Sequence, residues 1–274
     1  MNKSGLSPFV LVCMIFGFVF LYAPIVMLVI FSFNASRLVT VWAGFSTKWY
    51  VSLMHDDQIL GAAYLSLKIA FINACLSVII GTMAAFALVR FGRFLGRGVM
   101  IQSISSRLVL PDVILGLSIL LLFVSLQNTI GWPAQRGVMT IVIAHVTFSS
   151  AYVAIVVQTR LAGLDRSFEE AAFDLGAGPF VVFRTVTLPM IAPSLLAGWL
   201  LAFILSFDDL VIASFASGPS ATTLPMVIFS KVRLGLNPEV NALATIIVAL
   251  VAVGVIFAGR MLQRQADERA GGKA

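Results

Sequence analysis

Charge is what this sequence has least of. Only 11% of its 274 residues are Asp, Glu, Lys or Arg, against roughly 25% in a soluble domain, which leaves too little polar surface to cover a globule in water. Cysteine and histidine are scarcer still. Cys13 and Cys75 both lie in apolar stretches, where they read as small buried side chains rather than a disulfide or a metal site. Two histidines, His55 and His145, form no His-Glu-x-x-His pair, and no Ser-His-Asp order stands in a cleft-like context. His145, inside an apolar run, reads as a hydrogen-bonded helix residue rather than a ligand. No Gly-x-x-x-x-Gly-Lys-[Ser/Thr] occurs, so the chain has no phosphate-cradling loop of its own and any ATP-Mg must be bound by a partner. These absences exclude a disulfide scaffold, a disordered chain and a metal or nucleophilic enzyme. No cofactor, metal or catalytic residue is expected.

What fills the space is hydrocarbon. Hydrophobic residues make up 60% of the chain, with 22 Phe and 10 Met, and the mean hydropathy is +1.03. At roughly 20 residues per span, the length holds about five to eight membrane helices and almost nothing else. The expectation is an all-α, polytopic protein with a single transmembrane domain over 1–274 and its core over 61–259. Apolar runs place spans at about 9–33, 61–89, 99–126, 138–158, 190–207 and 241–259. The first run follows only Lys3, continues uncharged and lacks a cleavage site, so it reads as a retained span rather than a signal peptide. The third carries Arg107 and Pro111-Asp112, and a kink is expected at the proline. Residues 210–240 are ambiguous, apolar in part but broken by Gly218-Pro219, Pro225 and Pro238.

Six spans put both termini on one side, and the basic residues say which. Lys3, Arg90, Arg93, Arg97, Arg160, Arg166, Arg184, Arg260, Arg264, Arg269 and Lys273 lie on the terminal side, whereas Arg37, Lys48, Arg136, Lys231 and Arg233 lie opposite. Eleven against five places both termini in the cytoplasm. With Lys68 and Arg107 inside spans, the net charge of +6 expresses topology, and no nucleic-acid partner is implied.

The connection 159–189 is the longest charged stretch and has helical signals of its own. Ser167-Phe-Glu-Glu170 matches a capping box. Phe168, Ala171, Ala172 and Leu175 recur at i, i+3, i+4 and i+7, drawing one apolar stripe on a short helix that ends at Gly176. Pro179 starts a second short helix expected to stop before Pro189. The stripe must be buried against something: the bundle and lipid headgroups, or a soluble partner.

Glu170-Ala171-Ala172, three residues, Gly176, nine residues, Val186, one residue, then Leu188-Pro189 resembles the EAA signature of permease subunits of bacterial ABC importers, with Val186 in place of the usual Ile. The resemblance extends over nearly the whole chain. Val41-Trp42-Ala43-Gly44, Trp49-Tyr50, Leu110-Pro111-Asp112-Val113, Gly131-Trp132-Pro133, Ser206-Phe207-Asp208-Asp209-Leu210 and Ala221-Thr222-Thr223-Leu224-Pro225 are similar to the polyamine branch, on the side of the smaller permease of putrescine systems. The resemblance implies a type I importer fold in the bacterial inner membrane. It implies a heterodimer with a second permease, two copies of an ATPase and a periplasmic polyamine-binding protein. It also implies that Glu170, Ala171, Ala172, Gly176, Leu188 and Pro189 form the coupling loop that meets the ATPase. The implied cargo is putrescine, with spermidine the alternative.

A charge within a membrane costs about 2.5–3.5 kcal/mol on insertion scales, so it faces a partner or a wet cavity. Asp112 has two readings: turned to the translocation path by the Pro111 kink, or paired with Arg107. Asp208 and Asp209 are adjacent on a helix, so at most one faces a central path squarely, and either can be a helix cap. Trp42 suits a methylene chain between two ammonium groups or an interfacial anchor. Lys68 is expected to snorkel or to pair with a carboxylate. The rival function is an ion-coupled secondary transporter using Asp112, Asp208 and Lys68 as a charge relay, with no ATPase.

Overall fold

The computed structural model describes residues 7–38, 41–234 and 238–271; beyond Val253, among side chains, it describes Arg260 alone. Lys3 and Lys273 therefore lie outside the described residues, as do the side chains of Arg264 and Arg269. Among the described residues the chain is helical with no strand; Asn34 and Phe45 form one isolated bridge. The helices are α1 (Pro8–Ser32), α2 (Lys48–Met54), α3 (Asp57–Arg90), α4 (Arg97–Ser106), α5 (Asp112–Ile130), α6 (Val138–Ala162), α7 (Ser167–Asp174), α8 (Pro179–Val182), α9 (Leu188–Phe207), α10 (Val211–Ala216), α11 (Leu224–Leu234) and α12 (Pro238–Gly271). A π turn, Phe183–Thr187, joins α8 to α9. Among the described residues α1, α3, α5, α6 and the run 179–207 are long and apolar enough to cross a membrane, and α12 adds the apolar stretch Pro238–Val253. The chain divides into two compact units, 61–227 and 1–60 with 228–274.

In the 61–227 unit the organising element is α6. It is the most buried of the spanning helices, the pattern of a helix enclosed by others, and it packs on α9, α10 and α4. Its residues join two core clusters, one through Ile141, Ala144 and Phe148 and the other through Val153, Val157 and Leu161. Between helices the glue is polar. Buried Asn73 on α3 donates to the Ala202 carbonyl on α9 at 2.8 Å and to the Ser149 hydroxyl on α6 at 3.2 Å, and accepts from Ser77. Such bonds matter in a bundle where lipid removes most of the hydrophobic gain of helix association. Close approach supplies the rest. A Cβ on Gly81 would stand 2.8 Å from the Ser150 carbonyl oxygen and 2.8 Å from Cβ of Val153, so α3 lies directly on α6.

In the other unit α1 and α2 each pack on α12. The connection after α1 is built around buried Asn34, whose side chain donates to the Val41 carbonyl and accepts the Ser36 and Ala43 amides. Trp49 closes it by donating to the Asn34 carbonyl at 2.7 Å. Lys231 on α11 pairs with Asp56 and with Glu239 at the start of α12. Glu239 also accepts the Ser52 hydroxyl. Burial pushes the Asp56 carboxyl up, but the Lys231 hydrogen bond and charge and the Ile59 amide outweigh it, holding the group below its ordinary 3.8. Burial pushes Lys231 down, and its two carboxylates more than reverse that.

Two expectations about segment boundaries are corrected. The span expected over 99–126 is two helices, α4 ending at Ser106 and α5 beginning at Asp112. Pro111 lacks an N–H and forces its neighbours toward extended backbone. It adopts φ −61°, ψ 141° and caps α5, so a break replaces the expected kink and the spanning helix is 112–130. The second helix of the 159–189 connection does not stop before Pro189 but runs on to Phe207. In the π turn the Leu188 amide bonds back five residues to Phe183; this widened turn admits the Pro189 ring, which in a regular helix would clash with a carbonyl four residues back.

Two outcomes follow for the purified protein. Gly81→Leu should lower the thermal midpoint in detergent by forcing α3 off α6, a cost of about 1–3 kcal/mol. Because Asp56 is lowered and Lys231 raised, their stabilisation is complete between the two unfolded-state values. It is lost only as acid falls through the folded Asp56 value or alkali rises through that of Lys231. The difference in thermal midpoint between wild type and Lys231→Met should therefore stay constant from about pH 5 to about pH 9 and shrink below about pH 4.

Candidate functional site

The 159–189 connection is a helical hairpin, and its local chemistry explains each turn. After α6 the Asp165 carboxylate accepts the Ser167 amide at 3.0 Å; that amide and the Ser167 hydroxyl hold Asp165 below the usual carboxylate value. Ser167 is thereby the first residue of α7 and Arg166 its cap, with no side-chain capping bond. The expected capping box does not form, because Asp165 has taken the amide and the Glu170 side chain is exposed and makes no hydrogen bond. At the other end Gly176 sits at φ +84°, its amide bonds to the Phe173 carbonyl and that of Ala177 to the Ala172 carbonyl. This pair of bonds is a Schellman stop, which requires a left-handed residue that glycine supplies at least cost.

Glu169, which sequence reasoning passed over for its neighbour, holds the hairpin to the bundle. Its Oε2 lies 2.9 Å from Arg90 Nε as an ion pair, while Oε1 accepts from the Arg90 guanidinium at 3.1 Å and from the Thr187 hydroxyl at 2.7 Å. The bonded residues belong to α3, α7 and the π turn. Arg166 donates to the Val89 carbonyl at 2.9 Å, satisfying one of the orphan carbonyls at the end of α3. A cavity of about 290 Å³ lies beside this joint, lined in part by Phe86, Phe173, Pro179 and Phe183. The signal for Glu169 was unreadable in one dimension, because its partner is 79 residues away.

The rest of the hairpin is bare. Phe168 is 56% exposed, Leu175 89% and Phe180 74%. Glu170, Ala171, Gly176 and Pro189 are exposed, whereas Ala172 and Leu188 are half-buried. The hairpin thus has one face tied to the bundle by charge and another of apolar side chains left open.

The membrane acids separate into three situations. Asp112 accepts from Arg107 at 2.9 Å, the carboxylate 54% exposed and the arginine buried. Asp209 is held on two sides: it accepts the Ile212 and Ala213 amides at the start of α10, and it meets His145 Nε2 at 3.1 Å. A carboxylate only accepts, so Nε2 donates to it, while Nδ1 shares a hydrogen bond with the Ser206 hydroxyl at 2.7 Å. Asp208, next to it, is exposed and makes no side-chain bond. No hydrogen bond or ion pair joins Asp112, Asp208 and Asp209 to one another. Lys68 is exposed, and no described carboxylate lies within ion-pair distance of it. Trp42, in the other unit, is 49% exposed and meets Phe31 edge-on at 6.2 Å.

Apolar helices of spanning length, joined by a hairpin that is rigid on one face and open on the other, define a polytopic membrane transport subunit. The comparisons agree. A model of the binding-protein-dependent transport system inner membrane component matches residues 77–270, and the chain belongs to that family. It is 58% identical over 263 residues to the putrescine transport system permease protein PotI of Escherichia coli K12, covering 96% of this chain and 94% of that one. It is 42% identical over 239 residues to the spermidine/putrescine transport system permease protein PotC of the same strain, covering 87% and 88%. Among solved structures, a bacterial ABC transporter involved in alginate import superposes with a TM-score of 0.69 over 95% of this chain and 98% of that one, at 17% identity. The inward-facing methionine transporter MetNI does so at 0.58 over 75% and 94%, also at 17%. At such identities these two structures bear on the fold.

The half-buried Glu169 and the bare Glu170 should respond differently to substitution. Glu169→Ala leaves the largely covered Arg90 without its charge partner, a loss of about 1–3 kcal/mol, read as a lower melting temperature and faster proteolysis of the hairpin. Glu170→Ala should leave both unchanged.

Proposed function

We propose that the chain is one of two different permease subunits of an ATP-driven putrescine importer, working with two copies of an ATPase and a periplasmic diamine-binding protein. Its termini lie in the cytoplasm. The observation that carries this reading is the hairpin, whose open apolar face and exposed Glu170 present a rigid knob to a soluble partner. Putrescine is favoured over spermidine by the higher identity to a putrescine permease than to a spermidine/putrescine one.

In this mechanism the chain performs no covalent chemistry. ATP-Mg is bound and hydrolysed by the partner. Closure of the ATPase pair moves the hairpin, seated through Phe168, Ala171, Ala172 and Leu175, and the Glu169 joint passes the motion to α3 and α9. The permease halves then rock to face the periplasm, the binding protein delivers its diamine, and hydrolysis returns the pathway to the cytoplasm. Of the two adjacent acids, Asp208 is the one free to meet an ammonium group, since Asp209 holds α10 and His145.

The test is purification of the tagged chain in mild detergent from its native cells, identification of everything that co-purifies, and uptake of radiolabelled putrescine with spermidine as competitor. The expected result is a second permease, an ATPase with a phosphate-binding loop, and ATP-dependent uptake that Glu170→Ala or Gly176→Pro abolishes at normal complex abundance. A chain that supports uptake alone, without an ATPase, would instead establish ion coupling.

A further inference from the structure

The break between α4 and α5 contains a cation site whose occupant is part of the chain. The Arg107 guanidinium lies 4.7 Å from the ring centre of Phe148 and 5.7 Å from that of Tyr152, and donates to Asp112 at 2.9 Å. Two aromatic faces and one carboxylate are what an ammonium ion seeks when it leaves water. Beside the guanidinium lies a cavity of about 210 Å³. Three hydroxyls along its wall have given their protons away: Ser106 to the Ser103 carbonyl, Ser118 to the Ile114 carbonyl at 2.7 Å and Thr147 to the Ile143 carbonyl at 2.7 Å. What these three leave for an occupant is lone pairs, while Leu115, Ile119, Leu122 and Ala151 make the rest of the wall apolar, a lining that suits a methylene chain ending in a hydrogen-bond-donating cation. The fit of the arginine is incomplete, because its Nε is buried with no partner. Asp112, by contrast, is more than half exposed, so the carboxylate can be approached while the arginine still holds it.

We propose that Arg107 is a tethered competitor for the transported cation. An incoming ammonium group takes Asp112 from the guanidinium, with the methylene chain of the diamine lying along the mostly apolar cavity, and the arginine reclaims the carboxylate as the substrate leaves. The exchange swaps one cation for another on the same acid, so Asp112 keeps a positive partner throughout, and the buried guanidinium, left with the Phe148 and Tyr152 rings alone, is driven back to the carboxylate. The return of Arg107 also ensures that the site does not trap its cargo. The device sets substrate class, since the occupant displaced is a hydrogen-bonding cation of single charge. This inference rests on the polyamine reading above.

The experiment uses the complete transporter with its partner permease and ATPase, and measures equilibrium binding of radiolabelled putrescine without the binding protein, alongside uptake in proteoliposomes. Arg107→Gln is expected to raise diamine occupancy about ten-fold and Asp112→Asn to lower it about ten-fold. The double variant should match Asp112→Asn, since the arginine acts only through that carboxylate. Should Arg107→Gln fail to assemble, Arg107→Lys keeps the charge but loses the planar fork, and occupancy should rise in the same direction. Binding equal to wild type in an assembled Arg107 variant, or in the exposed Asp112→Asn, overturns the proposal. A purely structural ion pair would change abundance in both single variants and leave the affinity of the assembled fraction untouched, which also overturns it. A wild-type complex that transports no polyamine at all overturns the preceding reading, and this one with it.

Discussion

Hydrocarbon offers no hydrogen bonds, so every polar group that enters the bundle must find its partner within the protein. The architecture follows from that constraint. Asn73 spends its amide on α6 and α9, His145 is clamped between Ser206 and Asp209, and Arg107 rests on two rings and a carboxylate. Where helices end, arginines reach back to free carbonyls, as Arg166 does to Val89. A side chain left without a partner therefore stands out. In the pairs Glu169–Glu170 and Asp208–Asp209, Glu170 and Asp208 are the exposed members, and they lie where a partner protein and a substrate are proposed to arrive.

The division of labour between neighbouring acids is the clearest feature of the molecule. Glu169 and Glu170 are consecutive on α7, where adjacent residues point about 100° apart; Asp208 caps the end of α9 and Asp209 follows it in the link to α10. One of each pair turns inward and is consumed by structure. Glu169 ties α7 to α3 and the π turn; Asp209 starts α10 and fixes an imidazole. The outward member of each pair is rigidly aimed because its neighbour is anchored. A position that reads as redundant charge is a support for the charge beside it.

Most of the helices were legible in the sequence, because hydropathy acts over twenty residues and tolerates local error. The run 138–158 was recovered within α6, and the Gly176 stop was visible because glycine after an apolar stripe has one common cause. Legibility failed where the outcome turned on a single competing bond. Ser167 had the right spacing for a capping box, yet Asp165, two residues earlier, took the amide. Pro111 and Pro189 carry the same covalent restriction, but one breaks its helix and the other is absorbed. Their flanking backbones differ, and that difference is not written in the proline. Glu169 was invisible for another reason: a pairing across 79 residues leaves no periodicity.

The π turn before α9 has a mechanical meaning. A turn of i→i+5 bonding holds one more residue than the helix around it, which displaces the angular phase of everything on one side by about 100° relative to the other. The face that α8 offers to the hairpin and the face that α9 offers to the bundle are thus indexed separately, as two gears keyed to one shaft at different angles. Unwinding or migration of that single extra residue would turn a push on the hairpin into rotation of the span, a screw motion in place of a simple tilt.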